Sequence, residues 1–276
     1  MRGRAAWLVL CLSATLTDCE AAATEPAQPE LIIDCDTTCP ETGVFEGNAS
    51  ISGEMAIDRY FLALRQLLRA TSTVTDDLQQ RPARMRQLGL DAEGGDTALR
   101  ERLTKRFALE SELTWAPAPA SCAVASLDLG CERDLDALCG AAVAVRNDSE
   151  LRCYAGPATW SYRASDATPL AELEAFTFVA GQQLALGFAD AERAGWLIEA
   201  LERAERALPA VVAAVLALPL PRTGPGAGRA ALAVGCTLAE VQRLSDVLDE
   251  QARPLQSALL DWAKLESALT AQGGAQ

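Results

Sequence analysis

The side chains best able to do chemistry in this sequence are its cysteines, at Cys11, Cys19, Cys35, Cys39, Cys122, Cys131, Cys139, Cys153 and Cys236. Thiols have three ordinary uses: nucleophilic attack, metal binding and disulfide formation. A cysteine nucleophile needs a base to activate it, and the chain contains no histidine. That also excludes Ser-His-Asp catalysis, His-ligated metals and the usual neutral-pH proton shuttle. Only Lys105 and Lys264 are lysines, and neither sits in a glycine-rich loop that would cradle phosphate. For zinc, Cys35 and Cys39 are spaced to chelate, but no second closely spaced pair completes a tetrahedron. Disulfides remain, with Cys35, Cys39, Cys122, Cys131, Cys139 and Cys153 as the candidates. Four of these fall within residues 122–153, the mark of a segment stapled because its own core is small.

Disulfides require an oxidising compartment, and the N-terminus supplies a route to one. Arg2 and Arg4 precede an apolar stretch, Ala5 to Ala14, and small residues follow at Ala21 to Ala23. This reads as a secretory signal over 1–23 with a cut after Ala23. Its apolar stretch is half of what a membrane span requires, about 20 residues. The alternative is a lipoprotein box, Leu16-Thr17-Asp18-Cys19, with lipidation at Cys19; membrane association is expected only by that route. Arginine far above lysine and 53 alanines among 276 residues suit a GC-rich bacterial genome.

Acidic side chains are the second chemical resource, 38 Asp and Glu against 24 Lys and Arg. The net charge of −14 disfavours nucleic acid as a partner. Asp76-Asp77 is suited to acid–base work, yet it falls on the polar side of an amphipathic helix. Asp91-Ala-Glu93-Gly-Gly-Asp96 has a composition that suits calcium without the spacing of an EF-hand loop. It reads as a helix-connecting loop in which Asp96 caps the next helix. Ser121, Cys122 and Thr237 have no base nearby in sequence. Gly224 to Gly228 lacks the Lys-Ser/Thr of a phosphate loop and reads as a flexible inter-helix loop. No catalytic residue, cofactor or metal site is assigned.

The elements that position these residues follow from periodicity. After an extended cysteine-containing segment (24–49), residues 50–107 read as helical. Ile57, Phe61, Leu64, Leu68, Thr71, Thr75 and Leu78 form one stripe, which Pro82 is expected to interrupt. Leu99, Leu103 and Phe107 form a second, shorter stripe. Residues 108–163 switch to period two and read as a small antiparallel sheet. One hairpin is expected to join 109–115 to 123–129 through Pro117 and Pro119. A second is expected to join Ala141–Val145 to Glu150–Tyr154 around Asn147-Asp148-Ser149. Residues 164–276 return to helix. Leu197, Leu201, Ala204, Leu208, Val211 and Val215 form one seam. Val241, Leu248, Leu255, Trp262 and Leu269, with Leu244, Ala258 and Leu265 between, form the other. The two are expected to face each other across a chain reversal at 219–228, with kinks or fresh starts at Pro209 and Pro254. The uncharged run Ala207 to Pro221 is too short to span a bilayer and reads as core, or else as a docking face. The fold class is therefore α+β, mostly α: a bundle of long amphipathic helices with a small disulfide-stapled antiparallel sheet inserted.

Cys39-Pro40 and Glu46-Gly-Asn-Ala-Ser-Ile-Ser-Gly53, with Pro119-Ala-Ser-Cys122 further on, resemble segments of uncharacterised exported proteins of myxobacterial type. In those proteins a long helix, a cysteine-bearing β stretch and an alanine-rich helical tail follow in this order. The resemblance implies export and this architecture, and it implies no activity. Two function classes follow. The first is a non-catalytic exported structural or interaction protein, meeting an unidentified protein partner or itself through apolar helix seams. The second is a carboxylate-dependent hydrolase of an envelope polymer, which requires a polar cleft holding two inward carboxylates about 5–10 Å apart.

Overall fold

A computed structural model describes residues 39, 43–90, 95–124, 136–218 and 225–270, with backbone alone at 95–96, 136–137, 225–229 and 268–270. Within them lie five helices and four short strands. In chain order they are α1 (Met55–Gln87), α2 (Gly95–Arg106), β1 (Thr114–Ala116), β2 (Ala120–Ala123), α3 (Asp136–Ser149), β3 (Arg152–Ala155), β4 (Thr159–Ser161), α4 (Leu170–Leu216) and α5 (Pro225–Thr270). The expected class holds: mostly helix, with small antiparallel sheets and bridged cysteines.

The α1 stripe is buried in full. Tyr60 donates its hydroxyl proton to the Ala204 carbonyl of α4 at 2.8 Å, while Arg81 reaches Gln183 and Asp190. The contact order reverses between the two helices, so α1 and α4 run antiparallel. α4 and α5 do the same, since Ser245 meets Glu205 and Trp262 meets Gly187. The two seams read from the sequence thus face each other, and Leu201, Leu208, Val215, Leu248, Leu255 and Trp262 are all buried. The uncharged run after Ala207 contributes Leu208, Val211 and Val215 to this core.

None of the three interior prolines ends a helix or starts a fresh one. Pro82, Pro209 and Pro254 lie inside α1, α4 and α5, which continue through them. Each costs one backbone hydrogen bond, but buried residues on both sides, such as Leu208 and Val211 around Pro209, keep the helix continuous. α1 stops at glycine instead. Gly89 takes φ +79°, its N–H bonds the Arg86 carbonyl, and the Leu90 N–H bonds the Met85 carbonyl. This is a Schellman closure, and the buried side chains of Met85 and Leu90 supply its apolar contact. The reversal before α5 is shorter than expected, because Pro225 begins the helix; proline suits a first helical position, where its missing N–H has no partner to lose. α2 likewise starts at Gly95, so Asp96 lies inside its first turn rather than capping it.

The β region corrects the sequence reading most. Ala141–Val145 is helical, within α3, and both proposed hairpins are replaced. β1 pairs antiparallel with β4, and β2 with β3. Thr114 opposes Ser161 and Cys122 opposes Cys153, an advance of eight residues on each arm. The two sheets are therefore one antiparallel ribbon in a single register. Pro117 and Pro119 interrupt one arm and Pro157 the other, because proline cannot donate to a ladder.

Aromatic contacts bind the ribbon to the helices. Trp115 and Trp160 are directly opposed, with centroids 5.2 Å apart. Trp160 meets Phe176 of α4 edge-on at 5.9 Å, and Phe176 meets Phe107 at 5.1 Å. Gly181 of α4 leaves room for the Trp160 ring, whose Nε1 would lie 3.1 Å from a Cβ there.

Residues 39 and 43–53 form a clasp across α1 and α5. Cys39 is bridged to Cys236. The Val44 N–H donates to Glu240 at 2.7 Å, and Arg243 donates to both Glu46 oxygens at 2.6 and 2.7 Å. Arg65 donates to the Gly47 carbonyl. Asp58 accepts from the Ile51 and Ser52 N–H groups and from the Ser50 and Ser52 hydroxyls. Gly47 and Gly53 both have positive φ, which explains glycine at these turns.

The hydrogen bonds from Arg243, above all, hold the Glu46 carboxyl below its usual range. A depressed carboxyl stabilises the fold above its unfolded pKa and loses that contribution as pH falls through the folded value. Melting temperature should therefore drop on acidification below about pH 4.5, the ordinary glutamate range, and Glu46→Gln should flatten that part of the drop. Parallel pH–melting curves for the parent and the variant would refute a role for Glu46.

Candidate functional site

α4 carries more than the bundle seam. On its outer side Phe178, Gln182, Leu186, Ala189, Arg193 and Trp196 recur at spacings of three and four, so they share a face. Phe178 is 65% exposed, Leu186 47% and Trp196 43%. Ala185 and Ala189 lie between them, and their small side chains leave a trough. The ribbon sits along one side of this trough. The result is two adjoining depressions between α4 and β3–β4.

The first depression, about 630 Å3, is lined by Ala155, Pro157, Ala158 and Trp160 from the ribbon and by Glu174, Thr177, Phe178, Gln182, Ala185 and Leu186 from α4. Both its volume and its mainly apolar lining fall within the ordinary range for ligand sites. The second, about 400 Å3, is lined by Ser149, Glu150, Arg152, Tyr154, Asp190 and Arg193, with Cys153 and Ala189 between them. Ala155 follows Tyr154 on β3 and Ala185 is one turn from Ala189 on α4, so the depressions continue into each other. Together they make an open groove, apolar at one end and charged at the other.

Charges at the polar end are unevenly matched. Arg81 grips one oxygen of Asp190 through Nε at 3.0 Å and Nη2 at 2.5 Å. Glu150 lies 3.8 Å from Arg146. Burial raises the Asp190 carboxyl, while the Arg81 hydrogen bond pulls it down. Burial lowers the Arg193 guanidinium; the nearby charges of Asp190 and Asp77 raise it, and that of Arg152 lowers it. Asp77, read from sequence as part of a solvated face, is half-buried beside this cluster, and its neighbour Asp76 is exposed.

The cysteines divide as follows. Cys122 is bridged to Cys153 across the ribbon, and Cys139 is also disulfide-bonded. Cys39 pairs with Cys236, a residue absent from the sequence-derived candidates because it lies in an alanine-rich helix far from the cluster. Nothing in the local sequence around Cys236 marks it as a bridged residue. Cys35, Cys131 and Cys19 lie outside the described residues, as do 91–94 of the acidic loop. Thr237 is buried and donates to the Ala233 carbonyl at 2.7 Å, a helix-internal bond rather than a nucleophile's contact. Among the described residues no group of three or more His, Cys, Asp or Glu is placed to hold a metal, and no helix is long and apolar enough to cross a membrane. The bridges indicate folding in an oxidising environment. No family model, curated protein or solved structure matches the chain.

Proposed function

We propose that the protein is a non-catalytic exported interaction protein, a disulfide-stapled helical scaffold that presents the α4–ribbon groove to a partner. The observation that carries this reading is the exposed Phe178 and Leu186 beside Trp160, a contiguous apolar trough on a chain whose seams are already filled. Self-association through those seams has no free surface left to use, because their residues pack on each other inside the monomer. The groove gathers several of the exposed apolar side chains of the described residues in one trough.

Hydrolysis of an envelope polymer is the weaker reading. It needs two free inward carboxylates, whereas Asp190 and Glu150 are each held by an arginine. The charge pattern supports binding over proton transfer. The reading places the mature chain, after removal of 1–23 or lipidation at Cys19, in a bacterial periplasm, at the outer membrane or outside the cell. Photocrosslinking from position 178 in the exported protein tests it: adducts are expected there and not from the equally exposed Leu260.

A further inference from the structure

Among the described residues, four arginines have a buried Nε that makes no hydrogen bond of its own, although Arg100 has other partners: Arg65, Arg100, Arg146 and Arg193. Three of them spend their other nitrogens elsewhere, on Gly47, Glu112 and Glu150. Arg193 differs. Among the described residues it makes no hydrogen bond and no ion pair, although it is half-buried in the polar end of the groove. Arg152, on the facing strand, is likewise without an ion pair and repels it.

The charges around the two arginines do not cancel. The carboxylates in reach are Asp190, Asp77 and Glu150. Arg81 occupies the first and Arg146 the third. Asp77 alone is left to offset Arg152 and Arg193 together, so one positive charge is in surplus. This surplus stands out on a chain of net charge −14. A guanidinium presents a planar fork matched to a carboxylate, and here Arg152 and Arg193 line one depression.

We infer that the polar end is a carboxylate-binding subsite, and that the groove takes an extended peptide whose apolar side chains lie along α4 and whose carboxylate ends between Arg152 and Arg193. This rests on the interaction reading above and specifies its partner. The spacing fixes a pattern. Leu186 is seven residues before Arg193 and Phe178 fifteen, or about 10 and 22 Å at roughly 1.5 Å per helical residue. An extended chain advances about 3.3 Å per residue. The carboxylate should therefore follow one apolar side chain by about three residues and another by about seven, which places both on one face of the extended chain. A shallow, open trough suits a peptide better than a free acyl chain, which gains most when enclosed on all sides.

The test uses the oxidised full chain and a fluorescein-labelled octapeptide with phenylalanine first, leucine fifth, serine elsewhere and a free C-terminus. Its C-terminal amide and laurate serve as comparisons, and affinity is read by anisotropy. The acid should bind about tenfold more tightly than the amide, as a charge-assisted bidentate contact implies. Arg193→Gln and the more exposed Arg152→Gln should each bring the acid toward the amide's affinity. Arg193→Lys, which keeps the charge and loses the fork, should fall between. Phe178→Ala should weaken acid and amide by the same factor. All variants are compared at matched melting temperature, and Arg152→Gln remains decisive where Arg193→Gln disturbs the fold.

Equal binding of acid and amide, both weakened by Phe178→Ala, would remove the carboxylate subsite and leave the groove as an interaction face. Arg193-dependent binding of laurate without discrimination between acid and amide would overturn the peptide in favour of a fatty acid. Failure of both peptides to bind would overturn the inference, and failed crosslinking from 178 as well would remove the underlying reading.

Discussion

Removing the Cys39–Cys236 bridge, by Cys39→Ser with Cys236→Ala, should cost the folded chain about 3–5 kcal/mol. The bridge spans a sequence separation of 197, and the entropy a crosslink withholds from the unfolded chain grows with the logarithm of loop length. The Cys122–Cys153 bridge spans only 31 and joins residues already paired across the ribbon; its removal should cost less, about 2–3 kcal/mol. Urea unfolding of the two variants under oxidising conditions gives the comparison. A clasp variant more stable than the ribbon variant would contradict the argument from loop length. The clasp should stay partly docked without its bridge, since Glu240 holds the Val44 N–H and Arg243 holds Glu46.

Trp262→Ala should destabilise by about 3–5 kcal/mol, the usual cost of truncating a core tryptophan. Trp262 is fully buried and meets Phe188 edge-to-face at 5.7 Å. Its ring fills a notch that exists only because residue 187 is glycine: a Cβ there would collide with Cη2 of the indole. Gly187→Ala is the reciprocal lesion and should cost about 1–3 kcal/mol by overpacking. The two changes share one contact, so the double variant should lose less than the sum of the singles. Trp262→Phe should be milder than either, since it also removes an indole N–H that is buried without an acceptor. An unchanged melting temperature for Trp262→Ala would mean that α4 and α5 do not meet there.

These two cases show which parts of the fold were legible. The α1 stripe and the two long seams were readable because helix burial repeats locally, every three or four residues. The ribbon was not, because strand pairing is nonlocal. The alternation near Leu109–Trp115 marked an extended arm correctly in kind, but Pro117 and Pro119 looked like a hairpin turn when they only interrupt the arm. α3 was lost among short apolar runs that fit either period. Leu138, Ala142, Val145 and Ser149, all buried, carry the helical spacing in retrospect. The prolines inside helices were overruled by tertiary packing on both flanks.

The groove was the least legible feature. Phe178, Gln182 and Leu186 are spaced as a helix face in the sequence, but that face is the back of a helix whose front already has a seam. Only the position of the ribbon, set by Trp160 against Phe176 and Gly181, turns it into a trough. Arg152 and Arg193 are 41 positions apart and meet for the same reason.

The central claim is that the protein works by presenting this groove. The most direct measurement places a photoreactive phenylalanine analogue at position 178, 186 or 260 of the exported protein in its producing cell. The three native side chains are comparably exposed, at 65%, 47% and 61%, but only the first two line the groove. Discrete adducts from 178 and 186, absent from 260, are the predicted result. Adducts of equal yield from all three positions, or from 260 alone, would contradict it.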